Sequence, residues 1–136
     1  MVHHSLTKDG KTVSWQAIRR WHTTDHHHWP DIGYHQGVEM VNDHLEAFIG
    51  RPENERAAAC KEADMNALAL HVCVVGNFDL APPSDDLLRF LARYVVKPWV
   101  VRYGIPLDHV VGHRDFATYK SCPGSMFDLD ALRALL

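Results

Sequence analysis

Apolar residues recur along the chain in spacings that change from segment to segment. Trp15, Ile18, Arg19 and Trp21 to His22 follow the three-and-four spacing of a short amphipathic helix, and Ser14 before them is a residue type that caps helix N-termini. That helix is expected to end before the polar His26-His27-His28 stretch and Pro30. From Gly33 the period becomes two, with Tyr34, Gln36, Val38 and Met40 on one face and His35, Gly37, Glu39 and Val41 on the other. Asn42-Asp43 supplies a turn and His44 to Ile49 returns, so a β-hairpin is predicted, closed by Gly50-Arg51-Pro52. The polar, alanine-rich segment from Glu53 to Asn66 predicts a loop with a helical turn.

Leu68 to Val75 is a nearly continuous apolar run, the pattern of a central strand buried on both faces and lying beside the first strand. Ser84 caps the longest helix, with Asp85 and Asp86 in its first turn and Leu87, Leu88, Leu91, Tyr94 and Val95 as the buried stripe. Pro98 lacks a backbone donor and is expected to kink or interrupt that helix before Tyr103-Gly104-Ile105-Pro106 ends it. Val110-Val111 reads as a brief strand, and Asp128 caps a final helix of Leu129, Leu132, Leu135 and Leu136. Alternating strands and helices place the chain in the α/β class, with a central mixed β-sheet flanked by helices. There is no internal repeat, and residues 1–136 read as one domain.

Composition changes this picture in two ways. Charged residues make up 23% and the formal net charge is −3 without any long basic run, which speaks against nucleic acid as a partner. No apolar stretch reaches the length of a membrane span and the N-terminus lacks a secretory pattern, so the chain as given is expected to remain in the cytoplasm after synthesis. Oligomeric state leaves no trace in these features. Three cysteines, an odd number, favour reduced thiols over a disulfide framework. Cys60 and Cys73 then read as small buried hydrophobes, and Cys122 is left free to act as a ligand.

The candidate chemistry lies at the two ends of the chain. Gly112-His113-Arg114-Asp115-Phe116, followed by Lys120-Ser121-Cys122-Pro123-Gly124, puts a histidine, a lysine and a cysteine in one short region, and His3-His4-Ser5 offers a further imidazole. Two imidazoles and one thiolate suit Zn2+, and three protein ligands leave the fourth tetrahedral position open, as catalytic sites require. Among eleven histidines, His26-His27-His28 reads as solvated surface, since adjacent loop histidines rarely converge on one ion.

Taken in order, His3-His4-Ser5, Trp21-His22, Asp31-Ile32-Gly33-Tyr34-His35, Gly50-Arg51, Val75-Gly76-Asn77-Phe78, Gly112-His113-Arg114-Asp115 and Lys120-Ser121-Cys122-Pro123-Gly124 resemble the zinc-dependent N-acetylmuramoyl-L-alanine amidases. Phage lysozyme-type amidases and animal peptidoglycan recognition proteins share that fold. The resemblance spans nearly the whole chain. It implies His3, His113 and Cys122 as the ligands of one zinc ion, with His4 facing the opposite way on its strand. It also implies Tyr34 and Lys120 as catalytic residues, and His35 and Asn66 as contacts to substrate, His35 with a supporting role as its alternative. Two departures stand out: Ala58-Ala59-Cys60 replaces the Gly-Ala-His of many relatives, and only Met1 and Val2 precede His3.

The implied reaction is hydrolysis of the amide between the lactyl group of N-acetylmuramic acid and L-alanine in peptidoglycan or its muropeptides. The implied setting is a phage or prophage endolysin, which needs a separate membrane pore to reach the wall. Cytoplasmic wall-recycling amidases are the alternative of the same class, but their third ligand is usually Asp. A non-catalytic peptidoglycan-binding module is the alternative of another class, and such modules generally lack the cysteine. A third alternative is a regulatory protein that binds a polymerase.

Overall fold

The computed structural model describes residues 1–7 and 14–136. Its sheet has four strands, β1 (Val2–His4), β2 (Gln36–Val41), β3 (His44–Ile49) and β4 (Val72–Val74), in the order β1-β4-β2-β3. β4 pairs in parallel with both β1 and β2, and β3 runs antiparallel to β2. The sheet is therefore mixed, with the apolar run at its centre and beside β1. Asn42 and Asp43 both take positive φ, 47° and 67°, the backbone that a two-residue hairpin turn requires.

The two faces of the sheet bury different chemistry. Val2, Val38, Val72 and Val74 point to one side, against Leu88, Leu91, Val95, Val96, Trp99, Phe127, Leu129 and Leu132. Those residues come from α3 (Asp85–Leu91), α4 (Lys97–Tyr103), the π-helical turn Ala92–Val96 between them, and α5 (Leu129–Arg133). His3, Cys73, Gly37 and Phe48 are in register across the other side. That side is covered by α1 (Trp15–Arg20), which continues through a π-helical turn over Trp21–Asp25. Ser14 Oγ accepts the Ala17 N–H, and the Glu39 carboxylate accepts the Trp15 N–H at 2.7 Å, so a sheet residue anchors the first turn of α1.

Gly37 lets α1 approach this closely. A Cβ at Gly37 would lie 2.3 Å from Cε3 of the Trp15 indole, inside any tolerable contact. Gly37→Ala is therefore expected to lower stability by about 1–3 kcal/mol through overpacking. The measurement is the urea midpoint, and an unchanged midpoint would contradict the packing argument.

Several boundaries differ from those the sequence predicts. Residues 65–68 form a short helix, α2 (Met65–Leu68), and only Val72–Val74 is strand, so the apolar run is partly spent on helix and Leu68 is exposed. β2 begins at Gln36 rather than Gly33, and Tyr34 packs with the Trp15, Ile32 and Cys73 cluster instead of sharing the Val38 face. Residues 110–112 contribute one bridge, Val2 to Gly112, rather than a strand. Pro98 sits in the first turn of α4, and the preceding π-helical turn absorbs the interruption. Tyr94 is exposed and packs on Phe90, while Ala92, Val96 and Trp99 fill the stripe.

Candidate metal centre

His3 lies at the middle of β1, on the face opposite Val2 and His4. Strand alternation separates the histidine pair: His4 Nδ1 accepts the Phe78 N–H at 3.3 Å, away from His3. His3 Nδ1 lies 3.6 Å from Cys122 Sγ, and its ring meets that of His113 edge-on at 4.9 Å between centroids. The ligand atoms of His3, His113 and Cys122 all fall within 4.8 Å of one another.

The two C-terminal residues arrive on loops that are locked together. A Cβ at Gly112 would come 2.6 Å from Pro123 Cδ, so only glycine allows the His113 and Cys122 segments to pack this tightly. The Arg114 N–H donates to the Cys122 carbonyl at 2.7 Å, and its guanidinium donates to the carbonyls of Gly124 and Phe127. Asp79 braces the same loop, accepting the Ser121 hydroxyl at 2.7 Å and the Ser125 N–H at 2.6 Å. Asp115 accepts the Gly112 N–H at 2.8 Å, which is the loop-capping use of that side chain.

The electrostatics favour neutral donors. Burial, then the neighbouring His71 and His113, holds His3 well below the ordinary imidazole value. Burial and Lys120 lower His113, against the opposing pull of Glu62. Burial pushes the Cys122 thiol up to about 11, although the His4 N–H and Lys120 act the other way. His113 Nε2 is buried and makes no hydrogen bond among the described residues. Its nearest carboxylate oxygen is Glu62 Oε2, at 3.8 Å. An orphaned imidazole nitrogen beside a second imidazole and a thiol is a donor set that fits a zinc ion, which would hold the thiol deprotonated.

The remaining predicted residues distribute as follows. Tyr34 packs 5.3 Å from the His3 ring, and burial followed by the Cys73 and Cys122 thiols keeps its hydroxyl protonated far above the usual range. Lys120 is exposed on the rim, close enough to influence His113 and Cys122 electrostatically. His35 and Asn66 make contacts to backbone. His35 Nδ1 accepts the His71 N–H and its Nε2 lies 2.9 Å from the Glu55 carbonyl, while Asn66 Oδ1 accepts the N–H groups of Ala59 and Cys60. His26 and His28 are exposed, and His27 stacks on Trp29 at 4.2 Å.

Sequence reasoning passed over two residues of the centre. Glu62 turns one oxygen toward His113, accepts the Tyr119 hydroxyl on the other at 2.5 Å, and forms a second close group with Cys60 and His113. Nothing in its polar segment marks it out. His71 is fully buried against His3, and its signal was available as the one polar residue inside an apolar run.

The fold and this site together define an α/β amidase architecture. The profile of the N-acetylmuramoyl-L-alanine amidase family matches residues 1–125, and the chain belongs to that family. Among solved structures, the chain is similar to N-acetylmuramoyl-L-alanine amidase LysC from Clostridium intestinale URNW, with TM-score 0.77 and 23% identity over 98% of this chain and 80% of that one. The Ph2119 endolysin from the Thermus scotoductus MAT2119 bacteriophage gives TM-score 0.74 and 23% identity over 98% and 80%. A mutant of Drosophila PGRP-LB solved in complex with tracheal cytotoxin gives 0.67 and 18% over 93% and 74%. At these identities the likeness carries the fold. Curated protein sequences contain no match to the chain.

Proposed function

We propose that the chain is a zinc-dependent N-acetylmuramoyl-L-alanine amidase that hydrolyses the lactyl–L-alanine amide of peptidoglycan, and that it serves as a phage or prophage endolysin. The observation that carries this reading is the convergence of His3, His113 and Cys122 within 4.8 Å, in a chain of the amidase family. His3, His113 and Cys122 would hold a zinc ion, which would supply Lewis acidity toward the amide carbonyl and acidify water to a pKa of about 7. The endolysin-type relatives support the phage setting. The tracheal cytotoxin complex of PGRP-LB supports a muropeptide as the ligand of this fold.

The chain's own residues supply the rest of the reaction. Lys120 brings an exposed ammonium to the rim of the site, where it stabilises the charge that develops on the amide oxygen. Tyr34 holds its proton firmly, which suits it to donate a hydrogen bond to the reacting groups rather than to act as a phenolate base. The Trp15 ring packs against Tyr34, 6.3 Å between centroids, and supports it beside His3.

Digestion of defined muropeptides, with products identified by mass, tests the proposal. Release of free L-alanine N-termini that stops on chelation is the expected result. Binding without cleavage would instead make the chain a recognition module. Lys120→Ala is expected to keep its zinc and lose about 100- to 1,000-fold in turnover, the range seen when one oxyanion donor is removed. Normal turnover in that variant would strip Lys120 of the role.

A further inference from the structure

His71 is 0% exposed, is the residue immediately before β4, and belongs to neither hydrophobic cluster. Both of its ring nitrogens are engaged. Nε2 lies 2.9 Å from the Met65 carbonyl, and Nδ1 lies 2.8 Å from His3 Nε2. A carbonyl oxygen only accepts hydrogen bonds, so the contact to Met65 places the His71 proton on Nε2. The Nδ1 of a neutral His71 is then an acceptor, and His3 must donate to it from Nε2. His3 Nδ1 is left without a proton, and that is the atom 3.6 Å from Cys122 Sγ. One backbone carbonyl thus dictates, through two rings, which nitrogen of His3 carries a lone pair into the site.

The relay is itself held in place. The His71 backbone N–H donates to His35 Nδ1 at 2.9 Å, and His35 Nε2 lies 2.9 Å from the Glu55 carbonyl, which fixes the His35 proton on Nε2 by the same rule. Met65 lies in α2, so the relay ties the short helix, the start of β4 and the centre of β1 together.

We propose that His71 is a positioning residue that fixes His3 in its Nε2–H tautomer and presents the Nδ1 lone pair to the metal ion. The inference rests on the reading of His3 as a zinc ligand. Ligating histidines commonly donate their second nitrogen to a carboxylate, a carbonyl or water. Here the acceptor is a second neutral imidazole, and the carbonyl stands one ring further back.

The test begins with the metal-free, unsubstituted protein labelled with 15N-histidine. Long-range 1H–15N spectra are expected to show His3 protonated on Nε2. His71→Leu removes the acceptor while keeping apolar bulk. It is expected to mix the His3 tautomers and to weaken zinc affinity about 10- to 100-fold in competition with a chromophoric chelator. His71→Asn, whose side-chain oxygen can stand in for Nδ1, is expected to recover most of that loss, which a merely space-filling role would not produce. If the leucine variant does not fold, the spectrum of the unsubstituted chain and the asparagine variant still decide the matter. A Nδ1–H tautomer at His3 with normal zinc uptake overturns the role of His71 alone. Failure of the unsubstituted chain to take up zinc overturns the metal centre, and the role with it.

Discussion

Cys122→Ala is expected to yield a folded chain that neither retains zinc through gel filtration nor releases L-alanine termini from muropeptides. The loop that carries Cys122 is held by backbone groups, Asp79 and Arg114, none of which needs the thiol, so the fold should survive. The metal should not. Removing a residue that only orients a ligand commonly costs 10- to 100-fold in affinity, at about 1.4 kcal/mol per tenfold, and removing a direct ligand should exceed the upper figure of roughly 100-fold. Cys122→Ser, with a harder oxygen donor at the same place, should fall between the two proteins. Elemental analysis and muropeptide digestion are the measurements, and an alanine variant with full zinc content would remove Cys122 from the centre.

The second large effect concerns acid. His22 is buried, its Nδ1 accepts the Gly33 N–H at 3.1 Å, and burial lowers it from 6.5 to about 4. Protonation would set two donors against each other. Between those two values the unfolded chain binds more protons than the folded one, so stability is fully present above about pH 6.5 and declines as the pH falls toward 4. Near pH 5 the loss from His22 alone is up to about 2 kcal/mol. His4 and His35 are lowered in the same direction, and each accepts a backbone N–H through Nδ1, so their contributions add to it. Urea unfolding of the metal-free protein at about pH 8 and pH 5 measures the difference. His22→Asn, which keeps an acceptor for Gly33 but cannot titrate, should remove the His22 share and so reduce the dependence without abolishing it. Equal stability at the two pH values would refute the account.

Much of this was legible in the sequence, for identifiable reasons. The caps Ser14, Ser84 and Asp128 and the Asn42-Asp43 turn act through local backbone geometry, which neighbouring residues determine. The convergence of His3, His113 and Cys122 followed from family order rather than from spacing. What was lost depended on tertiary context. Leu68 looked like strand because it is apolar, yet α2 turns it to solvent. Tyr34 was assigned to the wrong face because alternation was counted through two residues that precede the strand. Glu62 was invisible because its position beside His113 follows a backbone with positive φ at Ala63 and Asp64, residue types that do not signal that conformation.

His3 and Cys122 stand 119 positions apart, and an ion gripping both would join them as a cross-link joins two distant points on a thread. A covalent bridge around a loop of that length restricts the denatured ensemble by roughly 4–5 kcal/mol. The metal-loaded chain should then outlast the empty one wherever proteases are abundant.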